Sequence, residues 1–250
     1  MKRLLIAAVS AACTLLMGTS LSFAQDGAPQ FRPVEMWVCN FNDRKDQDDM
    51  DSVYEDLVAD MGETAYAAFQ LNPYFVNGDL DFDFLYLGAW ADGTTMGSSL
   101  TDGEDTTAAW DEAATCPVSL LYASTWINQP QVADGGTGEF ILTVSDCKNG
   151  HAISNAQAAS ALRRYNEYEK ANGLDVGTIL WYPALGHGGA DFDVKLVHVY
   201  PGAQALGDAF QWFVDNQAYT VLGNITDGIV ACDEARVYMG QTIMNNLQPN

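Results

Sequence analysis

The sequence predicts an α+β protein built from two tandem units, each with the element order βαββαβ. Three observations carry this reading. The chain matches itself at fixed spacing, each half alternates strand-period and helix-period segments, and four cysteines fall at equivalent places in the two halves.

The internal match is gapless over its core. Pro73, Gly78, Asp81, Phe82 and Asp83 have the spacing of Pro183, Gly188, Asp191, Phe192 and Asp193. The same offset pairs Trp90 with Tyr200 and Gly97 with Gly207. Nearer the ends, Cys116, Tyr122 and Ile127 share the spacing of Cys232, Tyr238 and Ile243. Chance could supply one such match, but hardly all of them in one order.

In the first unit, residues 34–41 read as a strand. Met50, Val53, Tyr54, Leu57, Val58 and Met61 recur at helical spacing, with Asp48 and Asp49 suited to the positive end of that helix. Residues 66–71 form the next strand, Asn77-Gly78 a turn, and residues 82–90 the third strand. A helical region over 92–114 is broken at Thr101-Asp102-Gly103, and 118–127 is the last strand. The second unit repeats the series: strand 140–145, helix 155–171, strands 178–182 and 192–200, helix 203–214 and strand 235–243. Its second helix carries Leu206, Ala209, Phe210 and Phe213 on one face. Residues 34–127 and 139–250 are thus the two units, and 128–138, rich in Pro, Gly and Gln, is the linker.

This is the order of a ferredoxin-like unit. Right-handed crossovers give the spatial strand order 4-1-3-2. First and last strands are then antiparallel neighbours. Cys39 and Cys147 end the first strands, and Cys116 and Cys232 precede the last ones, so disulfides Cys39–Cys116 and Cys147–Cys232 are expected. Each would contribute roughly 4–5 kcal/mol on the chain-entropy account. No pair has the CxxC spacing of a zinc or redox site.

An even cysteine count suits an exported protein, and the start of the chain agrees. Residues 1–24 read as a signal peptide: basic Lys2-Arg3, an apolar run over 4–17, and Ser22-Phe23-Ala24 before the polar Gln25. Cleavage after Ala24 would remove Cys13; a lipid anchor on Cys13 would need a longer stretch before it. Residues 25–33 form an N-terminal tail. The expected location is periplasmic or secreted, and no later run is long and apolar enough for a membrane helix.

The full chain has 11 Lys+Arg against 33 Asp+Glu, a net charge of −22. Loss of Lys2 and Arg3 would leave 9 against 33, or −24. Such a surface repels nucleic acid and anionic membrane, so neither is expected as a partner. The acidity itself serves solubility. The acid-rich stretch 43–51 lacks the central Gly and closing Glu of an EF-hand loop, and no metal site is assigned there.

Two fused units of this order resemble the dimeric α+β barrel superfamily, which includes the antibiotic-biosynthesis-monooxygenase-like and NIPSNAP-like proteins. The resemblance lies in element order over nearly the whole mature chain, with no diagnostic motif. It implies two sheets packed around a cavity, with the tandem copy replacing a dimer, so the expected state is a monomer with an internal pseudo-dimer. Some members are cofactor-free oxygenases on aromatic substrates, and others bind haem through a helical His. Here His198 falls in a strand, His187 in a turn and His151 in a loop, so no cofactor is assigned.

Strand alternation names the residues that could line such a cavity. In the last strand of unit two, Ala235, Val237, Met239 and Ile243 should meet the helices, leaving Glu234, Arg236 and Tyr238 on the other face. In the third strand, Phe192, Val194 and Leu196 leave Asp193 and Lys195 opposite. Thr143 and Ser145 of the first strand are read as facing the same way, with Tyr122 and Trp126 in unit one. Lys195 and Arg236 would lie two strand spacings apart, roughly 10 Å. In so acidic a chain they suggest a pocket for a small anion or a carboxylate-bearing aromatic compound. The plainer reading pairs each cation with Asp193 or Glu234 on a wet face.

Other candidates are weaker. His187, in Leu-Gly-His-Gly-Gly, could be a base, a metal ligand or an exposed turn residue. His198 stands where the other unit has Gly88, on the helix side, as a hydrogen-bonded core residue. Most tryptophans read as core, and Trp126 is the one suited to a cavity. There is no Ser-His-Asp order, nucleophile elbow or phosphate loop. Three functions remain: a binding protein for a small anionic or aromatic ligand in an inter-repeat cavity, a cofactor-independent monooxygenase-like enzyme, or an interaction module with no small-molecule site.

Overall fold

The computed structural model describes residues 30–76, 81–102, 107–129 and 138–247. The expected leader with Cys13, the expected turn at Asn77-Gly78 and residues 130–137 of the expected linker lie outside the described residues. In chain order the elements are β1 (Arg32–Phe41), α1 (Gln47–Met61), β2 (Tyr66–Phe75), β3 (Phe84–Trp90), α2 (Gly93–Asp102), α3 (Thr107–Ala113) and β4 (Ala114–Asn128). There follow β5 (Glu139–Asn149), α4 (Asn155–Ala171), β6 (Gly177–Leu185), β7 (Val194–Tyr200), α5 (Ala203–Asp215), α6 (Ala218–Thr226), β8 (Val230–Cys232) and β9 (Arg236–Asn245).

Helix starts follow the side chains available to cap them. Asp46 accepts from the backbone N–H of Asp48, and the Asp49 carboxylate accepts from the N–H of Asp46, closing a capping box on α1. Ser154 and Gln157 do the same for α4. The acid-rich stretch 43–51 is therefore used to start a helix and to hold Lys45, which pairs with Asp49 at 3.2 Å.

Every strand pair is antiparallel, and the ring β4-β1-β3-β2-β9-β5-β7-β6 closes where β6 pairs with β4, giving an eight-stranded barrel. Within each half the strands stand in the order last, first, third, second, as read from the sequence. The two seams between halves are β4–β6 and β2–β9. Each seam puts a proline opposite a tyrosine, Pro183 with Tyr122 and Pro73 with Tyr238, and each ladder shifts register there. A proline has no N–H to give the ladder, so these are natural places for a bulge.

The repeated aspartates have matching tasks. Asp83 accepts from the backbone N–H of Phe41, and Asp193 from that of Asn149, both at 2.8 Å. The disulfides Cys39–Cys116 and Cys147–Cys232 join first and last strands in each half. In the second half that last strand is interrupted, and β8 and β9 lie end to end along β5. Helix α6 and this break are absent from the sequence reading.

Period-2 alternation sorts the side chains into separate cores. Trp37, Cys39, Phe41 and Phe84 pack with Met50, Tyr54 and Trp110 of the first-half helices. Cys147, Leu180 and Val194 pack with Ala158 and Leu162 of α4. Between them, Val34, Leu71, Leu87, Tyr122, Leu142, Val144, Trp181, Val197 and Tyr238 form a core of strand residues from both halves, the inside of the barrel.

Candidate functional site

The barrel interior contains a cavity of about 140 Å³ lined by Met36, Val38, Leu71, Phe82, Leu85, Val144, Trp181, Lys195, Arg236 and Tyr238. Register explains why charge reaches it. Residues directly opposite on antiparallel strands share a face. Val144 faces inward and lies opposite Arg236 on β9, while Asp146, two residues on, lies opposite Lys195 on β7. Lys195 is in turn opposite Trp181 on β6.

Asp146 ties the two cations together. Its Oδ1 accepts from Lys195 Nζ, and its Oδ2 accepts from Arg236 Nη1 at 3.1 Å. Arg236 also donates from Nε to the Val144 carbonyl at 3.3 Å and from Nη2 to Asp233 Oδ1 at 3.4 Å. Lys195 Nζ lies 4.2 Å from the Phe192 ring centroid, within cation–π range. The cations are therefore not held by Asp193, which caps the end of β5, nor by Glu234, which is exposed.

Burial opposes the charges of Asp146, Arg236 and Lys195, with different outcomes. At Asp146 burial is outweighed by the hydrogen bonds and charges of Lys195 and Arg236, so the carboxyl stays below its ordinary range. Arg236 is likewise carried upward against burial by Asp146. At Lys195 burial costs more than Asp146 returns, and the ammonium is drawn downward. Outside the cluster lies an open groove lined by Asp146, Lys148, Asp191, Phe192, Ala231, Cys232 and Asp233. Lys148 and Asp191 pair across it at 2.6 Å.

Lys195, Arg236 and Tyr238 thus meet in one cavity. Tyr122 and Trp126 also belong to the interior, Tyr122 only 1 % exposed, although neither lines the cavity itself. Thr143 and Ser145 are placed otherwise than expected. They share the parity of Cys147, which packs beneath α4, and so point to the helix side, where Thr143 stands near Tyr200. The even residues of β5 face inward instead. The parity of the buried cysteine was the sequence signal that settles this. His187 lies beyond β6, its Nε2 donating to the Leu121 carbonyl at 2.9 Å with the ring 4.5 Å from that of Tyr122. Two buried donors inside the barrel, Trp181 Nε1 and Tyr122 Oη, have no hydrogen-bond partner among the described residues.

The sequence reading also missed an acid on the helix side of each half, Glu169 buried and Glu35 partly so. Glu35 projects toward the helices, where Tyr66 Oη donates to its Oε1 at 2.7 Å and meets Tyr86 Oη at 2.7 Å. Burial lifts Glu35 to about 7 even though Tyr66 partly stabilises its charge. Glu169 on α4 is raised to about 7 by burial, against a hydrogen bond from Asn166. Gly88 makes the first cluster possible, because a Cβ there would run into Tyr66 Oη and Glu35 Oε1. Gly88→Ala should displace Tyr66 and cost about 1–3 kcal/mol in urea unfolding; an unchanged midpoint would mean that the pair can move aside.

The histidines do not fit a haem of the kind held by a helical ligand. His151 is in a turn, His187 is engaged by Leu121, and His198 lies within β7, where burial pulls it down to about 4. Among the described residues no group of three or more His, Cys, Asp or Glu is placed to hold a metal ion, and no helix is long and apolar enough to cross a membrane.

No family model and no curated sequence matches this chain. Solved structures do share its fold. A candidate monooxygenase of Fusobacterium nucleatum superposes with a TM-score of 0.55 at 13% identity, over 87% of this chain and 94% of that one. A candidate chlorite dismutase gives 0.51 at 8% identity, over 87% and 97%. A candidate monooxygenase of Lactobacillus acidophilus gives 0.51 at 10% identity, over 86% and 95%. At such identities the likeness establishes the fold, an α+β barrel, and nothing of the chemistry.

Proposed function

We propose that the protein is exported and binds a small aromatic or anionic molecule inside the barrel. The observation that carries this reading is the convergence of Lys195 and Arg236 on one largely apolar cavity that Trp181 also lines. Cations at the wall of an apolar cavity suit a molecule with an apolar or aromatic body and an acceptor of its own. Export is supported by the leader-like start and by two disulfides, which persist in oxidising compartments. We read the two halves as ferredoxin-like copies that complete the barrel within one chain. The matching tasks of Asp83 and Asp193 support that reading.

The test is native mass spectrometry of protein exported to a bacterial periplasm, beside a Leu71→Trp variant that fills the cavity. A small co-purifying mass, present in the parent and absent from the variant, supports the reading. A mass retained by both would place the ligand elsewhere.

A second reading, cofactor-independent oxygenation of an electron-rich aromatic compound, is favoured by two observations. The barrel is shared with two candidate monooxygenases, and Glu35 titrates near neutrality beside two tyrosines, which suits a base. Oxygen uptake with a quinol, present in the parent and lost in Glu35→Gln, is its expected signature. Equal uptake by both proteins would remove Glu35 from that role.

A further inference from the structure

Within the reading that the barrel holds a small molecule, we propose that the ligand is a monocyclic aromatic carboxylate, and that Asp146 is a built-in carboxylate which the ligand displaces. Size sets the ring. An apolar cavity of roughly 150 Å³ takes one benzene, and this one measures about 140 Å³. Met36, Leu71 and Leu85 offer apolar wall, and Trp181 adds an aromatic side chain.

Charge sets the headgroup. Asp146 is the carboxylate that touches both cations, while Asp233 reaches only Arg236 and is half exposed. Lys195 and Arg236 line the inner cavity, whereas Asp146 and Asp233 line the outer groove. The ion cluster therefore stands between the two spaces. A molecule that takes a place between Lys195 and Arg236 must break the contacts of Asp146 with them. A neutral ring that displaced Asp146 would leave buried Lys195 without its carboxylate and Arg236 with Asp233 alone, which is strongly unfavourable. A carboxylate replaces the one it displaces, so the cluster keeps its charge balance, and Asp146 turns toward water in the groove. The doubled negative charge of a phosphate would exceed that balance.

The experiment uses the full mature protein with benzoate and benzyl alcohol as probes, by titration calorimetry. Asp146→Asn removes the competing charge without changing side-chain size. It should tighten benzoate by about tenfold or more, the equivalent of 1.4 kcal/mol, and leave benzyl alcohol unchanged. If benzyl alcohol binds the parent as well as benzoate does, and Asp146→Asn changes neither, the displacement is overturned while the cavity reading stands. If neither probe binds parent or variant, both readings fall. Should Asp146→Asn not fold, the parent's carboxyl carbon resonance of Asp146 decides: it should shift as benzoate saturates, and a fixed resonance with benzoate bound would overturn the proposal.

Discussion

Replacing Cys147 and Cys232 together by serine should lower the free energy of unfolding by about 4–5 kcal/mol, and the same change at Cys39 and Cys116 should cost about as much. The disulfides close stretches separated by 85 and 77 residues, so each removes a large loop entropy from the unfolded chain. For a domain whose whole stability is on the order of 5–15 kcal/mol, either loss is severe. Urea unfolding with and without reductant measures it, and a loss below about 1 kcal/mol for both pairs would contradict the entropic argument.

The two pairs should differ in a second readout. Cys39 is fully buried, and Trp110 donates its indole N–H to Cys116 Sγ at 3.3 Å, so that disulfide belongs to a helix-covered core. Cys232 is exposed and lines the outer groove. Asp146 immediately precedes Cys147 and Asp233 immediately follows Cys232. Their backbones are tied as well, Asp146 N–H donating to Asp233 Oδ1 at 2.6 Å and Asp233 N–H to the Asp146 carbonyl at 2.9 Å. Loss of the second disulfide should therefore loosen the ion cluster as well as destabilise the fold. Loss of the first should leave the cavity as it is.

Why the sequence discloses the frame more readily than the site follows from how each is encoded. Strand and helix order is written locally, in alternation and in caps such as Ser154 with Gln157, and the cysteines tie it to a topology. Lys195 and Arg236 stand out because a cation within an apolar strand is rare. Their partner does not stand out, because Asp146 becomes significant only when β5 is set against β7 and β9 in register. Thr143 and Ser145 were placed by a face chosen one residue out of phase, and one residue inverts every assignment on a strand. Helix α6, with Thr220, Val221 and Ile225 among its nine residues, has little intrinsic helical preference. It restarts after Gln217, which takes a left-handed φ of 49° that ends α5. Glu35 was passed over because an acid between Val34 and Met36 reads as a solvent-facing residue. Only the three-dimensional neighbourhood of Tyr66, Tyr86 and the bare Gly88 shows it to be enclosed.

That enclosure makes stability fall as pH rises from acid to neutral, the reverse of what paired carboxylates produce. Glu35 and Glu169 each have an ordinary value of 4.5 and are lifted by burial to about 7 in the folded protein. Between those two values the native state holds protons that the unfolded chain has released, so unfolding becomes easier as pH increases. The contribution is fully present below about pH 4.5 and is lost on passing pH 7. A shift of that size is worth about 3 kcal/mol per group at most, less whatever the fold recovers by admitting water. Asp146 has the opposite sign. Lys195 and Arg236 hold it below its ordinary value against burial, so its contribution is present at neutral pH and is lost as pH falls below the usual aspartate range. His198, pulled by burial from 6.5 to about 4, adds a rise of the opposite sign between those values, so stability should peak near pH 5 and decline by about 3 kcal/mol toward pH 8. Urea unfolding across that range tests this, with the Glu35→Gln, Glu169→Gln double variant alongside. Neutral amides cannot lose the proton, so the double variant should not decline with the parent and should keep only the rise that His198, pulled from 6.5 down to about 4, gives between those values. If the variant declines as steeply as the parent, the buried glutamates are not the cause. The Tyr66 and Tyr86 phenols do not contribute in this window, since burial keeps both well above their usual range.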